Sequence, residues 1–132
     1  MHKFKIGQSE SLTKTFKDED VWGFAKLSGD DNPIHLDDDF AKQSIFKRRI
    51  VQGMLTGSLI SALIANHLPG RGSIYLKQDL TFLKPVFIGD TITAIVTIQN
   101  IIVEKSLYFL ETNCFNQNKE LVISGSATIK YK

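Results

Sequence analysis

Residues 53–67 read Gly-Met-Leu-Thr-Gly-Ser-Leu-Ile-Ser-Ala-Leu-Ile-Ala-Asn-His, and this stretch decides the fold. Its leucines and isoleucines recur every three or four residues and leave little polar face, which predicts a largely buried helix. Gly53, Gly57 and Ser61 add a stripe of small side chains, along which a sheet or a ligand could approach closely. The run is well short of the ~18 apolar residues that a membrane span needs, so no membrane partner is expected.

After this helix the hydrophobic period changes from helical to two. Apolar and polar residues alternate from residue 74 to residue 82, as in a half-buried strand, before Pro85 and Gly89-Asp90 break the pattern. A tight connection at Glu104-Lys105 predicts a hairpin between the next two strands. The predicted strands are residues 11–16, 74–82, 91–103, 106–115 and 121–131.

Two shorter helices precede the long one. The first runs from Asp18 to about Ser28, with Val21, Phe24, Ala25 and Leu27 on one side, and the second covers residues 37–43. Helices first and a run of antiparallel strands afterwards indicate the α+β class, with one long central helix packed against an antiparallel sheet.

Length and composition favour a single domain over residues 1–132. Sixteen basic residues against fourteen acidic ones give a net charge of +2, which is too even to indicate a nucleic-acid partner. Cys114 is the only cysteine, so neither an internal disulfide nor a Cys-rich metal site is possible. We expect a cytoplasmic protein, because the first residues also lack the apolar stretch of a signal peptide.

Residues 27–36 read Leu-Ser-Gly-Asp-Asp-Asn-Pro-Ile-His-Leu and are the part of the chain that suggests chemistry. A helix that ends at Gly29 and a turn at Asn32-Pro33 would fold the segment back, so that Asp30 and His35 point into one small volume. Such an acid and base pair can take a proton from water and return one, as the addition of water to a carbon–carbon double bond requires.

Each of these residues also has a structural interpretation. Gly29 is a usual helix C-cap, Asp30 and Asn32 could bond nearby amides, and His35 could be a satisfied core histidine. The acidic run at residues 37–39 is explained by the dipole at a helix start, without a metal ion. No metal site and no cofactor are predicted.

Taken together, residues 24–35, Phe40-Ala41 and Gly53-Met54 resemble the hydratase-2 motif of the MaoC-like family, the (R)-specific enoyl-CoA hydratases. The resemblance implies a single hotdog fold, a long central helix wrapped by an antiparallel sheet. It also implies that Asp30 and His35 activate water while the amide of Gly53 holds the thioester oxygen. Many members have His before this glycine, and we expect Gln52 in its place to change pocket detail and substrate preference but not the reaction. The candidate substrate-binding residues are Asn32, Gln52, Met54 and Ser61.

The resemblance therefore implies a cofactor-free hydratase that converts trans-2-enoyl-CoA to (R)-3-hydroxyacyl-CoA reversibly. Its substrate would be an acyl thioester of coenzyme A or of an acyl carrier protein, and the family implies a homodimer. Lys47-Arg48-Arg49 either meets the carrier's phosphates or is a solvated loop. Two alternatives stay open, a hotdog acyl-thioesterase and a non-catalytic acyl-binding subunit of a heterodimeric dehydratase.

Overall fold

In the computed structural model, which describes residues 4–132, five strands form one antiparallel sheet. The order across the sheet is β1-β3-β4-β5-β2, so β1 and β2 are its edges. A short 3-10 turn, Val103–Lys105, joins β3 to β4 and confirms the predicted hairpin. The strands are β1 (Ser9–Thr15), β2 (Ile74–Phe82), β3 (Thr91–Ile102), β4 (Leu107–Phe115) and β5 (Leu121–Lys130).

Four helices accompany the sheet in the same described part of the chain. The longest packs against β3, and its buried side chains meet the inward residues of that strand, such as Ala94 and Val96, in the core. The α+β class and the hotdog arrangement predicted from the sequence are therefore confirmed. The helices are α1 (Asp18–Ser28), α2 (Pro33–Leu36), α3 (Asp38–Lys42) and α4 (Gly53–Asn66).

The long helix α4 is less buried than its composition predicts. Leu59, Ile60, Leu63 and Ile64 are buried, but Ser61 on the other side is exposed. Sequence alone could not show this, because it does not tell which side of α4 faces away from the sheet and stays uncovered. None of the helices within residues 4–132 is long and apolar enough to cross a membrane.

The edge strand β2 also departs from the predicted half-buried pattern. Ile74 and Leu76 are both more than half exposed, while Leu80 packs against the core. The register shifts between Tyr75 and Lys77, which interrupts the alternation, and β2 has a sheet neighbour on one side only, β5.

Around the motif the structure adds a helix that the sequence did not predict. Pro33–Leu36 forms α2, with Asn32 as its N-cap, where we expected only a turn. Asp37 then caps α3 by accepting hydrogen bonds from two backbone amides. The acidic residues 37–39 are thus explained by their place at a helix start. The predicted buried side of α1 is correct for Val21 and Ala25 but wrong for Leu27, which is 86% exposed at the last turn of the helix.

Candidate active site

A pocket of about 460 Å³ lies where the motif, the start of α4 and the end of β2 meet. Its lining includes Asp30, His35 and Gly53, the three residues that the sequence analysis assigned to catalysis. Asp30 and His35 come from the motif at residues 27–36, and Gly53 comes from the start of α4. The fold therefore brings together an imidazole, a carboxylate and a helix N-terminus in one cavity.

Asp30 reaches the pocket because α1 stops one residue earlier. Gly29 adopts the left-handed conformation, with φ 83°, and its N–H donates to the carbonyl oxygen of Ala25 at 2.9 Å, which ends the helix. The N–H of Asp30 then donates to the hydroxyl of Ser28 at 3.0 Å. Backbone geometry thus fixes where the Asp30 side chain starts, while the residue itself stays exposed to solvent.

His35 is held much more tightly than Asp30. The residue is 8% exposed, and its Nδ1 lies 2.8 Å from the carbonyl oxygen of Ile50. A carbonyl can only accept a hydrogen bond, so neutral His35 carries its proton on Nδ1 and keeps a lone pair on Nε2. This tautomer leaves Nε2 free to act as a base.

Gly53 is the first residue of α4, so its N–H has no acceptor within the helix. A Cβ added at this position would lie 2.7 Å from the ring of Phe82 on β2, which explains why the close approach needs glycine. Gly57, one turn further, is 3.0 Å from Leu80 by the same measure. The stripe of small residues therefore serves helix-on-sheet packing at these two positions and also opens the helix N-terminus to the pocket.

The four candidate substrate-binding residues fall into different places. Met54 lines the pocket, and Gln52, Asn32 and Ser61 lie outside the lining formed by the described residues. Asn32 accepts a hydrogen bond from the N–H of Ile34 and so caps α2. Ser61 is exposed on α4.

Gln52 is fully buried between α1 and α4. Its Nε2 donates to the carbonyl oxygen of Val21 at 3.0 Å, whereas its Oε1 has no partner among the described residues. The side chain thus ties the start of α4 to α1, directly behind the amide of Gly53. This contact joins residues 31 positions apart, which no local pattern in the sequence reveals.

The remaining walls of the pocket are mostly apolar and were not predicted. They come mostly from the loop before α4 and from the segment after β2, which are distant in sequence, with one residue each from α4, β2 and β5. The proline at position 85 was interpreted only as the end of a strand. The additional lining residues are Phe46, Ile50, Val51, Thr56, Phe82, Leu83, Lys84, Pro85, Val86 and Ile123.

Basic residues near the pocket differ in their freedom. Arg49 is committed to hydrogen bonds within the chain, and Arg48 stacks 3.8 Å over the ring of Phe87. Lys84 at the rim pairs with Glu120, and this hydrogen bond, followed by one from Asn116, lowers the pKa of the Glu120 carboxyl. Of the predicted basic triplet, Lys47 and Arg48 are therefore the residues left to meet a ligand.

Two groups outside this pocket also have shifted pKa values. Burial raises the pKa of the Cys114 thiol to about 12, so this cysteine stays protonated and unreactive. Burial also raises the pKa of Tyr75 on β2 to about 12. Within residues 4–132 no group of three or more His, Cys, Asp or Glu side chains is arranged to hold a metal ion.

Comparison with known proteins gives consistent matches over most of the chain. Residues 2–119 match the family model described as a MaoC like domain. An (R)-specific enoyl-CoA hydratase of Rhodospirillum rubrum is 46% identical over 125 residues, which is 95% of this chain and 86% of that protein. A mitochondrial 3-hydroxyacyl-acyl-carrier-protein dehydratase of Solanum lycopersicum is 44% identical over 94% of this chain and 75% of its own length.

Among solved structures, an (R)-hydratase from Aeromonas caviae involved in PHA biosynthesis superposes with a TM-score of 0.97 at 43% identity. The superposition covers 100% of both chains, so the whole arrangement of sheet, α4 and motif is shared. On the family model and these identities, the chain belongs to the MaoC-like domain family.

Proposed function

We propose that residues 1–132 form one catalytic domain that adds water reversibly to a trans-2-enoyl-CoA and gives the (R)-3-hydroxyacyl-CoA. The observation that carries this proposal is the pocket that unites Asp30, His35 and the first amide of α4. The names of the similar proteins, which are hydratases and a dehydratase, support the same reaction in its two directions. The (R) configuration rests on those names.

In the proposed mechanism His35 is the base that activates water. Because Nδ1 is bonded to the Ile50 carbonyl oxygen, Nε2 accepts a proton from a water molecule that the Asp30 carboxylate orients. The water oxygen forms a bond to C3 of the enoyl thioester, and the electron pair of the double bond moves toward the thioester oxygen. Asp30 and His35 then return one proton to C2, so that the net change is the addition of one water molecule.

Negative charge that develops on the thioester oxygen needs a hydrogen-bond donor. The N–H of Gly53 at the start of α4, which has no acceptor within the helix, supplies one, and the helix dipole favours the same charge. Loss of a comparable donor costs about 10²–10³ in kcat in other enzymes. The reaction needs acid–base groups and this donor, without metal or organic cofactor.

The apolar part of the lining is the proposed site of the acyl chain. Met54, Phe82 and Val86 present hydrocarbon to the cavity, as an enoyl chain requires. Lys47 and Arg48 are proposed to meet the phosphates of coenzyme A or of a carrier protein's pantetheine. An unchanged KM for crotonyl-CoA in the K47A/R48A double variant would contradict this part of the proposal.

We propose that the protein is cytoplasmic, and its single-cysteine composition supports this.

We also propose that two copies pair through their β2 edges. Phe82 and Leu83, at the end of this strand, are about half exposed and line the pocket. Pairing would extend the sheet, satisfy the free edge and cover these side chains. Light scattering on the purified protein tests this, and a monomer at assay concentrations would contradict it.

The reaction itself is tested with crotonyl-CoA. Loss of the enoyl thioester absorbance and release of free thiol are followed in the same sample, for the wild type and for D30N and H35A. We expect absorbance loss without thiol in the wild type, slowed by at least ~10²-fold in both variants. Thiol release would instead indicate a thioesterase. Inactivity with short and long enoyl thioesters of both carriers would indicate a non-catalytic subunit.

A further inference from the structure

Arg49 joins three elements beside the pocket without lining it. Its Nε–H donates to the carbonyl oxygen of His35 at 2.9 Å, and its Nη2 donates to Asp18 at the start of α1. Its Nη1 lies 3.8 Å from Oδ1 of Asp38 in α3. The Arg49 side chain is only 11% exposed, whereas the two carboxylates lie at the surface. The guanidinium is therefore enclosed between two acidic side chains and the backbone of His35.

This arrangement matters because α2, which carries His35, is only four residues long. An isolated helix of one turn is not stable in water, and its last carbonyl oxygens find no N–H donor within the helix. Two of these carbonyls are satisfied from residues 49–50. The N–H of Ile50 donates to the carbonyl oxygen of Ile34 at 3.2 Å, and Arg49 Nε–H donates to that of His35.

The same two residues also fix the imidazole ring. The carbonyl oxygen of Ile50 accepts the hydrogen bond from His35 Nδ1 at 2.8 Å. Three hydrogen bonds thus connect residues 49–50 to α2, two to its backbone and one to its functional side chain. The geometry of His35 depends on where residues 49–50 lie, and the ion pairs of Arg49 with α1 and α3 anchor that position.

We propose that Arg49 is a positioning residue for the hydration reaction, which acts through the backbone of His35 to aim Nε2 into the pocket. The inference rests on the catalytic role proposed for His35. A planar guanidinium with five N–H donors can serve one carbonyl and two carboxylates in fixed directions. A lysine ammonium retains the charge but not this fork, so R49K separates charge from geometry.

The experiment compares R49A and R49K with the wild type. We expect R49A to lower kcat for crotonyl-CoA by ~10–100-fold, because misplacement of a reacting group by about 1 Å has effects of that size. KM should change by less than about twofold, since Arg49 does not line the pocket. R49K should show an intermediate loss of kcat.

A second readout distinguishes positioning from a general loss of stability. The ¹⁵N chemical shifts of His35 report which ring nitrogen carries the proton, and we expect a single Nδ1–H tautomer in the wild type. In R49A the spectrum should show exchange between tautomers. K14A is the matched control, because Lys14 pairs with Asp20 of α1 at 3.4 Å, and it should leave kcat and the His35 spectrum unchanged.

Wild-type kcat in R49A, or a loss of kcat with an unaltered His35 spectrum, would overturn the inference. If R49A does not fold, R49K and the D18N/D38N double variant give the same comparison, because the latter removes the anchors and keeps the arginine. H35A is measured in parallel. Full activity in H35A would refute the mechanism itself, whereas inactive H35A beside fully active Arg49 variants would refute only the role of Arg49.

Discussion

The two sides of the pocket are built in opposite ways. His35 is buried, its ring is bonded to the Ile50 carbonyl oxygen, and its backbone is held by Arg49. Asp30 is exposed and follows a helix end, and within residues 4–132 only its backbone is placed by hydrogen bonds. We infer that the base is fixed in direction before substrate arrives, while the carboxylate can adjust to the water and the substrate.

The largest expected effect comes from the rigid side. H35A and H35N should both lower kcat by ~10²–10⁴-fold, because each removes the Nε2 base. The two variants should differ in stability. Asparagine can still donate to the Ile50 carbonyl oxygen from the position of Nδ1, whereas alanine leaves that part-buried acceptor without its partner, at a cost of ~1 kcal/mol. Thermal unfolding and crotonyl-CoA kinetics measure both quantities.

Equal unfolding temperatures for H35A and H35N would show that the bond to Ile50 contributes nothing to the fold. The contrast between a fixed and an adjustable side of the pocket would then lose its main support.

On the open side, D30N should lower kcat by ~10²-fold and leave stability nearly unchanged. The reason is that the Asp30 side chain is exposed, and exposed substitutions usually change stability by no more than ~0.5 kcal/mol. Kinetics and thermal unfolding of the same preparation test this. A large loss of stability in D30N would mean that Asp30 is a structural cap like Asn32, and that the comparison with His35 is wrong.

The difference between the two sides also explains what the sequence could and could not predict. Local signals placed Asp30 and His35 in one cavity, because the helix stop at Gly29 and the turn at Asn32-Pro33 depend only on neighbouring residues. Those signals did not predict α2, because a four-residue helix with a local cap at Asn32 still depends on the hydrogen bonds from residues 49–50.

Contacts between distant residues account for the other differences. Gln52 pairs with a carbonyl on α1, and Arg49 with a carboxylate on α1, each 31 positions away. The residues next to them in sequence, Gly53 and Arg48, do not indicate either of these long-range contacts. Ser61 is exposed because it lies on the side of α4 that faces away from the sheet, and this depends on how the helix and the sheet assemble.

The third wall lies at the start of α4, and a change there should lower kcat less than H35A or D30N does. In G53A the new Cβ would lie 2.7 Å from the ring of Phe82, and we expect kcat to fall about tenfold with a stability cost of ~1–3 kcal/mol. The cost should lie at the lower end because Phe82 is 51% exposed and its ring can move. Kinetics and thermal unfolding of G53A, with G57A as the milder control, provide the measurement.

Addition of F82L to G53A should restore part of the stability, because leucine lacks the Cε1 and Cζ atoms that the new Cβ meets. If F82L gives no relief, the strain at Gly53 comes from the helix start itself and not from β2.

The smallest expected effect lies at the exposed rim. The hydrogen bond from Lys84 lowers the pKa of Glu120, so the ionised carboxylate stabilises the folded state above its ordinary pKa and this contribution is lost as the pH falls through the lowered value. E120Q should therefore unfold at a slightly lower temperature than wild type near neutral pH, and the difference should vanish once the pH is below that lowered pKa. The difference should also shrink in high salt, because both partners face solvent. A difference that persists in acid would show that the effect of Glu120 does not come from its ion pair with Lys84, and the comparison of the exposed rim with the buried side of the pocket would then be wrong.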